Sequence, residues 1–176
     1  MKALTFLAGV LIALGAGWAG FPRAIYQTRP QPVDFSHKVH ADKAGTKCED
    51  CHALRDDGTF AGLPALEKCS GCHAAPMGNT PAEKAFIDQY VTTNREPVWA
   101  SYAHQPANVY FSHAAHIRNN KVKCEECHGD VSASDKLKPA RFDRVSGYSA
   151  ETMRMQACMD CHAKNKVTDS CLECHK

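Results

Sequence analysis

The sequence predicts a mainly irregular fold of short α-helices wrapped around bound groups, preceded by one N-terminal transmembrane helix. Three observations carry this expectation. Residues Ala3 to Phe21 contain no charged side chain. Phe, Tyr and Trp make up only 8% of 176 residues, which is little core material, while Cys and His reach ten each. All ten cysteines fall in five CxxC pairs, and a histidine follows every pair.

The apolar run, ALTFLAGVLIALGAGWAGF, is bounded by Lys2 and by Pro22-Arg23. At 1.5 Å per residue it reaches roughly 28 Å, close to the hydrocarbon thickness of a bilayer. Trp18 stands where an interfacial aromatic belongs, and Lys2 keeps the amino terminus cytoplasmic. The competing reading is a cleaved secretory signal ending at Gly17-Trp18-Ala19, but the run is long for a signal core. Either reading exports everything after Phe21. The expected division is an uncleaved signal-anchor over 1–24, a connector over 25–33 that overlaps the Pro-rich stretch Pro22 to Pro32, and an exported domain over 34–176.

That domain carries an internal repeat. FSHKVHADKAGTKCEDCHA from Phe35 recurs as FSHAAHIRNNKVKCEECHG from Phe111, with seven residues between the second histidine and the CxxCH in both. Over 30–53 against 106–129, 11 of 24 positions are identical, so the chain reads as a duplication. Each copy supplies FSHxxH, a first CxxCH and a later one, with the motif at Cys171 outside the scheme.

Helical signals are local. Ser36 and Ser112 are N-cap candidates, placing His37/His40 and His113/His116 at i and i+3 on one face of the turn that follows. Thr80-Pro81-Ala82-Glu83 predicts a capping box opening a helix to about Val91. Glu151 to Ala163 predicts another helix, and Asn94 to Tyr110 an extended connector between the two halves. No strand of convincing length is predicted.

In CxxCH the two thiols add to the vinyl groups of a haem and the histidine ligates its iron. The pairs are Cys48/Cys51, Cys69/Cys72, Cys124/Cys127, Cys158/Cys161 and Cys171/Cys174, with His52, His73, His128, His162 and His175 as proximal ligands. Five disulfides would leave the histidines unexplained, and zinc ribbons use two CxxC pairs per metal, so five pairs leave an orphan. A thioredoxin-like redox pair needs a βαβ context absent here. Five covalent haem c groups explain the missing core, because about 30 exported residues then suffice for each. They also move the formal charge of +2 to roughly −3, through iron and propionates. No basic stripe supports nucleic-acid binding; Lys121/Lys123, Lys136/Lys138 and Lys164/Lys166 read as solvated surface.

Five histidines remain outside the motifs: His37, His40, His113, His116 and His104, matching the five distal positions that six-coordinate irons require. Met77, in CHAAPMG, is the alternative axial ligand, with packing on a haem edge as its plainer role. A haem bound without its own CxxCH is compatible with the count. Irons closed on both faces leave no place for a substrate, so the chain is expected to transfer electrons and to be no enzyme on its own.

FSHxxH followed by CxxCH resembles the opening of the cytochrome c3 and c7 families. That resemblance implies that His37 faces the first haem and His113 the third, while His40 and His116 reach neighbours. The anchor, the five motifs, CHAAPMG, EPVW and the VYFSHxxH run into CEECHG resemble the multihaem cytochrome subunit of the menaquinone reductase and alternative complex III family. By that resemblance the chain sits on the periplasmic face of the inner membrane and relays electrons to or from a soluble c3-type cytochrome. The implied partners are iron–sulfur, molybdopterin-like and integral-membrane quinone-site subunits, with the bilayer held through residues 3–21. Two alternatives stand beside it: a self-contained quinol dehydrogenase of the membrane-anchored tetrahaem type, and a soluble c3-like shuttle with a cleaved signal. Mass spectrometry of the mature chain separates anchor from shuttle. An intact amino terminus is expected, and loss of roughly the first 20 residues would reverse that reading.

Overall fold

The apolar run folds into α1 (Lys2–Ile25), about 36 Å of helix at 1.5 Å per residue. The computed structural model describes residues 2–60, 62–103, 106–150 and 153–175. No side chain of α1 is buried, and Trp18 is 87% exposed. The helix is long and apolar enough to cross a membrane. Pro22 lies in its last turn, and Arg23 donates to the Ala19 carbonyl at 2.8 Å.

α1 runs directly into a strand. β1 (Tyr26–Arg29) pairs antiparallel with β2 (Ala140–Asp143), Tyr26 opposite Asp143 and Arg29 opposite Ala140. The Arg144 N–H donates to the Ile25 carbonyl at 2.8 Å, tying the helix end to the same place. Arg29 lies 5.5 Å over the Phe142 ring and Arg141 5.2 Å over Tyr26. This small sheet was not foreseen from the sequence, although neither strand is long. Its strands are four residues each, too short for a period-two signal, and the partner lies in the far half of the sequence. Residues expected as a plain connector therefore join the exit of α1 to the second half of the body.

The repeated histidine pairs begin where their serines predict. α2 (His37–Ala44) is capped by Ser36, whose hydroxyl accepts the Val39 N–H at 3.1 Å. In the second copy a π-helical turn, Ala114–Asn119, follows His113, and Ser112 accepts the Ala115 N–H at 3.2 Å. Both copies also end alike. Gly45 (φ 66°) and its repeat equivalent Lys121 (φ 54°) are left-handed. The next N–H groups, of Thr46 and Val122, return to the His40 and His116 carbonyls at 3.2 and 3.0 Å. Glycine adopts this conformation freely, whereas a side chain there costs about 1 kcal/mol.

Each CxxCH occupies a helical turn: α3 (Cys48–Cys51), α4 (Leu66–His73), α6 (Cys124–His128), α7 (Met155–Lys164) and α8 (Cys171–Cys174). α5 (Pro81–Phe86) starts after Thr80 and passes into a π-helical turn, Ile87–Val91, matching the predicted span. α7 opens at Met155, later than expected, and Glu151 lies outside the described residues. The described part of 94–110 has neither helix nor strand.

The apolar core is small. Leu66, Phe86, Ile87 and Tyr90 form it, with Val33, Cys69 and Val91 packed against them. Glu96 caps α4 by accepting the Leu66 N–H at 2.9 and 3.0 Å, and the Tyr90 hydroxyl donates to the Pro32 carbonyl. Gln31 clamps the central connector, donating to the Ala100 carbonyl and accepting the Ala100 N–H. So little burial cannot order a body of this length by itself. If the left-handed end at residue 121 carries the cost argued above, Lys121→Gly raises stability by about 0.5–1 kcal/mol, read as a higher thermal midpoint.

Candidate haem-binding site

One turn of helix puts each cysteine pair at i and i+3 and the histidine at i+4, on a single face. The backbone closes that turn directly: His52 N–H donates to the Cys48 carbonyl at 2.8 Å and His175 N–H to Cys171 at 2.9 Å. All ten thiols are unpaired. Among the described residues, no three His, Cys, Asp or Glu side chains converge on a metal-sized site.

The imidazoles are held by their Nδ1 atoms. His52 Nδ1 bonds the Gly62 carbonyl (3.1 Å), His162 the Thr168 carbonyl (2.7 Å) and His175 the Asn108 carbonyl (2.9 Å). The second histidine of each repeated pair does so identically, His40 to Ser36 and His116 to Ser112, both at 2.8 Å. A carbonyl can only accept, so Nδ1 carries the proton and Nε2 keeps its lone pair for a metal. His73 follows the pattern with a carboxylate, Glu83 Oε1 at 2.9 Å.

The rings also face one another in pairs. His40 and His73 stand 6.0 Å apart between ring centres, and His116 and His162 6.2 Å. Two imidazoles on opposite sides of one iron, each with a metal–nitrogen bond of about 2 Å, have ring centres roughly 6 Å apart. His37 is held below its ordinary pKa by burial, then by His52 and His40; His113 by burial, then by His128 and His116. Each first histidine of a pair therefore lies near the proximal candidate of the CxxCH that follows it. The lowering favours the neutral imidazole, the form in which histidine ligates. Phe35 stacks on His40 (4.3 Å) and meets His37 edge-on (5.0 Å); Phe111 repeats this on His116 and His113 (4.6 and 4.8 Å).

The motifs adjoin one another in an order that differs from the chain order. Burial, and next the neighbouring Cys124 thiol, push the Cys48 thiol up. Burial and Cys51 do the same to Cys69, burial followed by Cys161 and Cys158 to Cys127, and burial and Cys174 to Cys158. The resulting row begins at Cys69/Cys72, passes Cys48/Cys51, Cys124/Cys127 and Cys158/Cys161, and ends at Cys171/Cys174. Phe60 bridges the two copies, stacking on His113 at 4.5 Å and His52 at 6.3 Å. At the far end the Tyr110 N–H donates to the Cys174 carbonyl at 2.7 Å.

Each motif keeps one thiol half-buried and leaves its partner exposed: Cys51, Cys69, Cys124, Cys158 and Cys174 are the inner ones, Cys48, Cys72, Cys127, Cys161 and Cys171 the outer. In α4 the inner thiol, Cys69, packs against the small core beside Leu66. Cys72 and Cys171 enter none of the thiol neighbourhoods that join the row.

The remaining residues fit haem. Buried His37 Nδ1 and Trp99 Nε1 lack hydrogen-bond partners within the polypeptide, an expense that an additional polar group nearby would relieve. Met77, the alternative axial ligand, has its side chain 73% exposed, while His40 occupies the position opposite His73. His104 lies outside the described residues.

Comparison with known proteins follows the same two halves. Residues 21–98 match the Class III cytochrome C family, and residues 109–176 match Cytochrome c7 and related cytochrome c. Over 99% of its length the chain is 42% identical to "Menaquinone reductase, multiheme cytochrome c subunit" of Nitratidesulfovibrio vulgaris (strain Hildenborough), covering 90% of that protein. This chain belongs to that family of multihaem cytochromes c. A multihaem cytochrome c carries haem covalently and transfers electrons, and its c3/c7-like fold of short helices and irregular segments is the one described above.

Sequence reasoning singled out each of these histidines but not Glu83, which bonds His73, nor Phe60, which stacks on His52 and His113. Glu83 had a signal, the Thr80–Glu83 capping box, which the structure half makes. Thr80 Oγ1 accepts the Glu83 N–H at 3.2 Å, but the carboxylate turns to His73, Met77 and Gly78 instead of back to Thr80. Phe60 stands in no motif. The ring pairing predicts that His40→Ala converts one low-spin haem to high spin in the EPR spectrum of the oxidised protein, whereas Met77→Leu leaves all signals in place.

Proposed function

We propose that this cytochrome relays electrons along five covalent haems, between a soluble c3-type cytochrome of the periplasm and the other subunits of a membrane quinone oxidoreductase. The support is the unbroken row of attachment motifs together with histidines on both faces of the sites. Thioethers form at Cys48/Cys51, Cys69/Cys72, Cys124/Cys127, Cys158/Cys161 and Cys171/Cys174. When bound, each haem supplies a one-electron iron couple.

The chain's own residues do the rest. His52 and His37 hold the first haem, His73 and His40 the second, His128 and His113 the third, and His162 and His116 the fourth. His175 would take the fifth, for which His104 is the expected second ligand; Asn108 and Tyr110, just beyond His104 in sequence, are bonded to the fifth motif. The pairs His37/His40 and His113/His116 each tie two neighbouring haems through one short helical turn. Nδ1 hydrogen bonds fix ring orientation, and ligation on both faces excludes small substrates from the irons.

α1 acts as an uncleaved anchor in the inner membrane, with 34–176 on the periplasmic side. The relative named as a menaquinone reductase subunit supports assembly with other subunits; by the family resemblance these are integral-membrane quinone-site, iron–sulfur and molybdopterin-like proteins. In this reading quinone chemistry belongs to those partners. The chain purified alone in detergent is expected to accept electrons from reduced c3-type cytochrome and to leave a menaquinone analogue unreduced. Quinone reduction by the isolated chain would instead make it a self-contained quinol dehydrogenase.

A further inference from the structure

Five of the six Nδ1 acceptors found among the described histidines are neutral carbonyls, and the sixth is charged. Glu83 Oε1 bonds His73 Nδ1 at 2.9 Å, with the two side chains 11% and 22% exposed. The same carboxylate accepts the Met77 N–H at 2.7 Å and the Gly78 N–H at 2.9 Å. Chiefly through the Met77 N–H, and further through Gly78 and His73, its pKa is held below the usual carboxylate range. Glu83 is itself fixed by Thr80 at the start of α5. The fit is close: a β-carbon at Gly78 would come within 3.3 Å of Glu83 Oε2. None of this is needed merely to cap a helix.

We propose that Glu83 is a positioning residue that sets the haem on Cys69/Cys72 at a lower reduction potential than its neighbours. The inference rests on the reading of His73 as an axial ligand of that haem. A carboxylate bonded to Nδ1–H makes the imidazole a stronger donor than a carbonyl does. Oxidised iron carries one more positive charge than reduced iron, so the stronger donor and the nearby negative charge favour the oxidised state and lower the potential. The carboxylate also fastens the backbone of Met77, whose exposed thioether would raise the potential if it ligated. Because this motif heads the row, an electron delivered there runs downhill toward the others. Glu83 thus gives the row a direction.

The test is a potentiometric titration of the full-length protein in detergent, comparing wild type, Glu83→Gln and Glu83→Asp, with haem content and peptide mass measured on each. Glu83→Gln is expected to keep its haems while one component, among the lowest, moves upward. Its reduced-to-oxidised ratio at fixed potential should rise at least tenfold, about 59 mV for one electron. The other components move far less, and Glu83→Asp stays near wild type. A Glu83→Gln titration that superimposes on wild type, or in which all components shift together, overturns the proposal. If Glu83→Gln loses the haem, Glu83→Asp decides: retention with a low component supports the proposal, whereas loss, or a component at the upper end, overturns it. A wild-type peptide without haem on Cys69/Cys72 would remove the axial-ligand reading as well as this inference.

Discussion

The body of this protein depends on imidazole rings held in place from behind. A histidine side chain free to rotate is a poor ligand, because ordering it costs side-chain entropy each time it binds. Here the second ring nitrogen is tied to the chain at six described positions. Those bonds decide the tautomer and leave Nε2 aimed outward, so the polypeptide carries preformed halves of sites that haem completes. The small core at Leu66, Phe86, Ile87 and Tyr90 serves the same end, because α4 and the turn after α5 meet there and bring His73 to Glu83.

The duplication explains how such a site arrangement is built economically. Each FSHxxH presents two rings from one helical turn, and the phenylalanine ahead of them stacks on the second and meets the first edge-on. In the proposed relay one turn therefore serves two haems, and two copies serve four. The copies are joined where the Cys48 and Cys124 thiols meet and where Phe60 lies between His52 and His113. Joining them through their first motifs, with the fifth motif added at one end, turns the chain order into a different spatial order.

The legible part of this protein was whatever depended on local spacing. The five CxxCH turns, the serine caps and the length of α1 are all set by residues within a few positions of one another. The β1–β2 ladder was not legible, because Tyr26–Arg29 and Ala140–Asp143 gain meaning only through each other. The row of motifs was hidden for the same reason, since it rests on contacts between distant cysteines. So was the split within each pair, one thiol half-buried and the other exposed, because spacing treats the two alike. Glu83 is instructive in a different way: its sequence context announces a helix cap, and the capping donor is its own N–H to Thr80, but the carboxylate has a stronger claim from His73 and two backbone N–H groups. Local propensity identified the residue and tertiary structure changed its task.

The central claim is that histidines close both faces of every haem. Low-temperature EPR of the fully oxidised wild-type protein addresses it most directly. The account predicts only low-spin signals of bis-histidine type, including one for the haem completed by His104. A high-spin signal, or a distinct histidine–methionine signal, would contradict it.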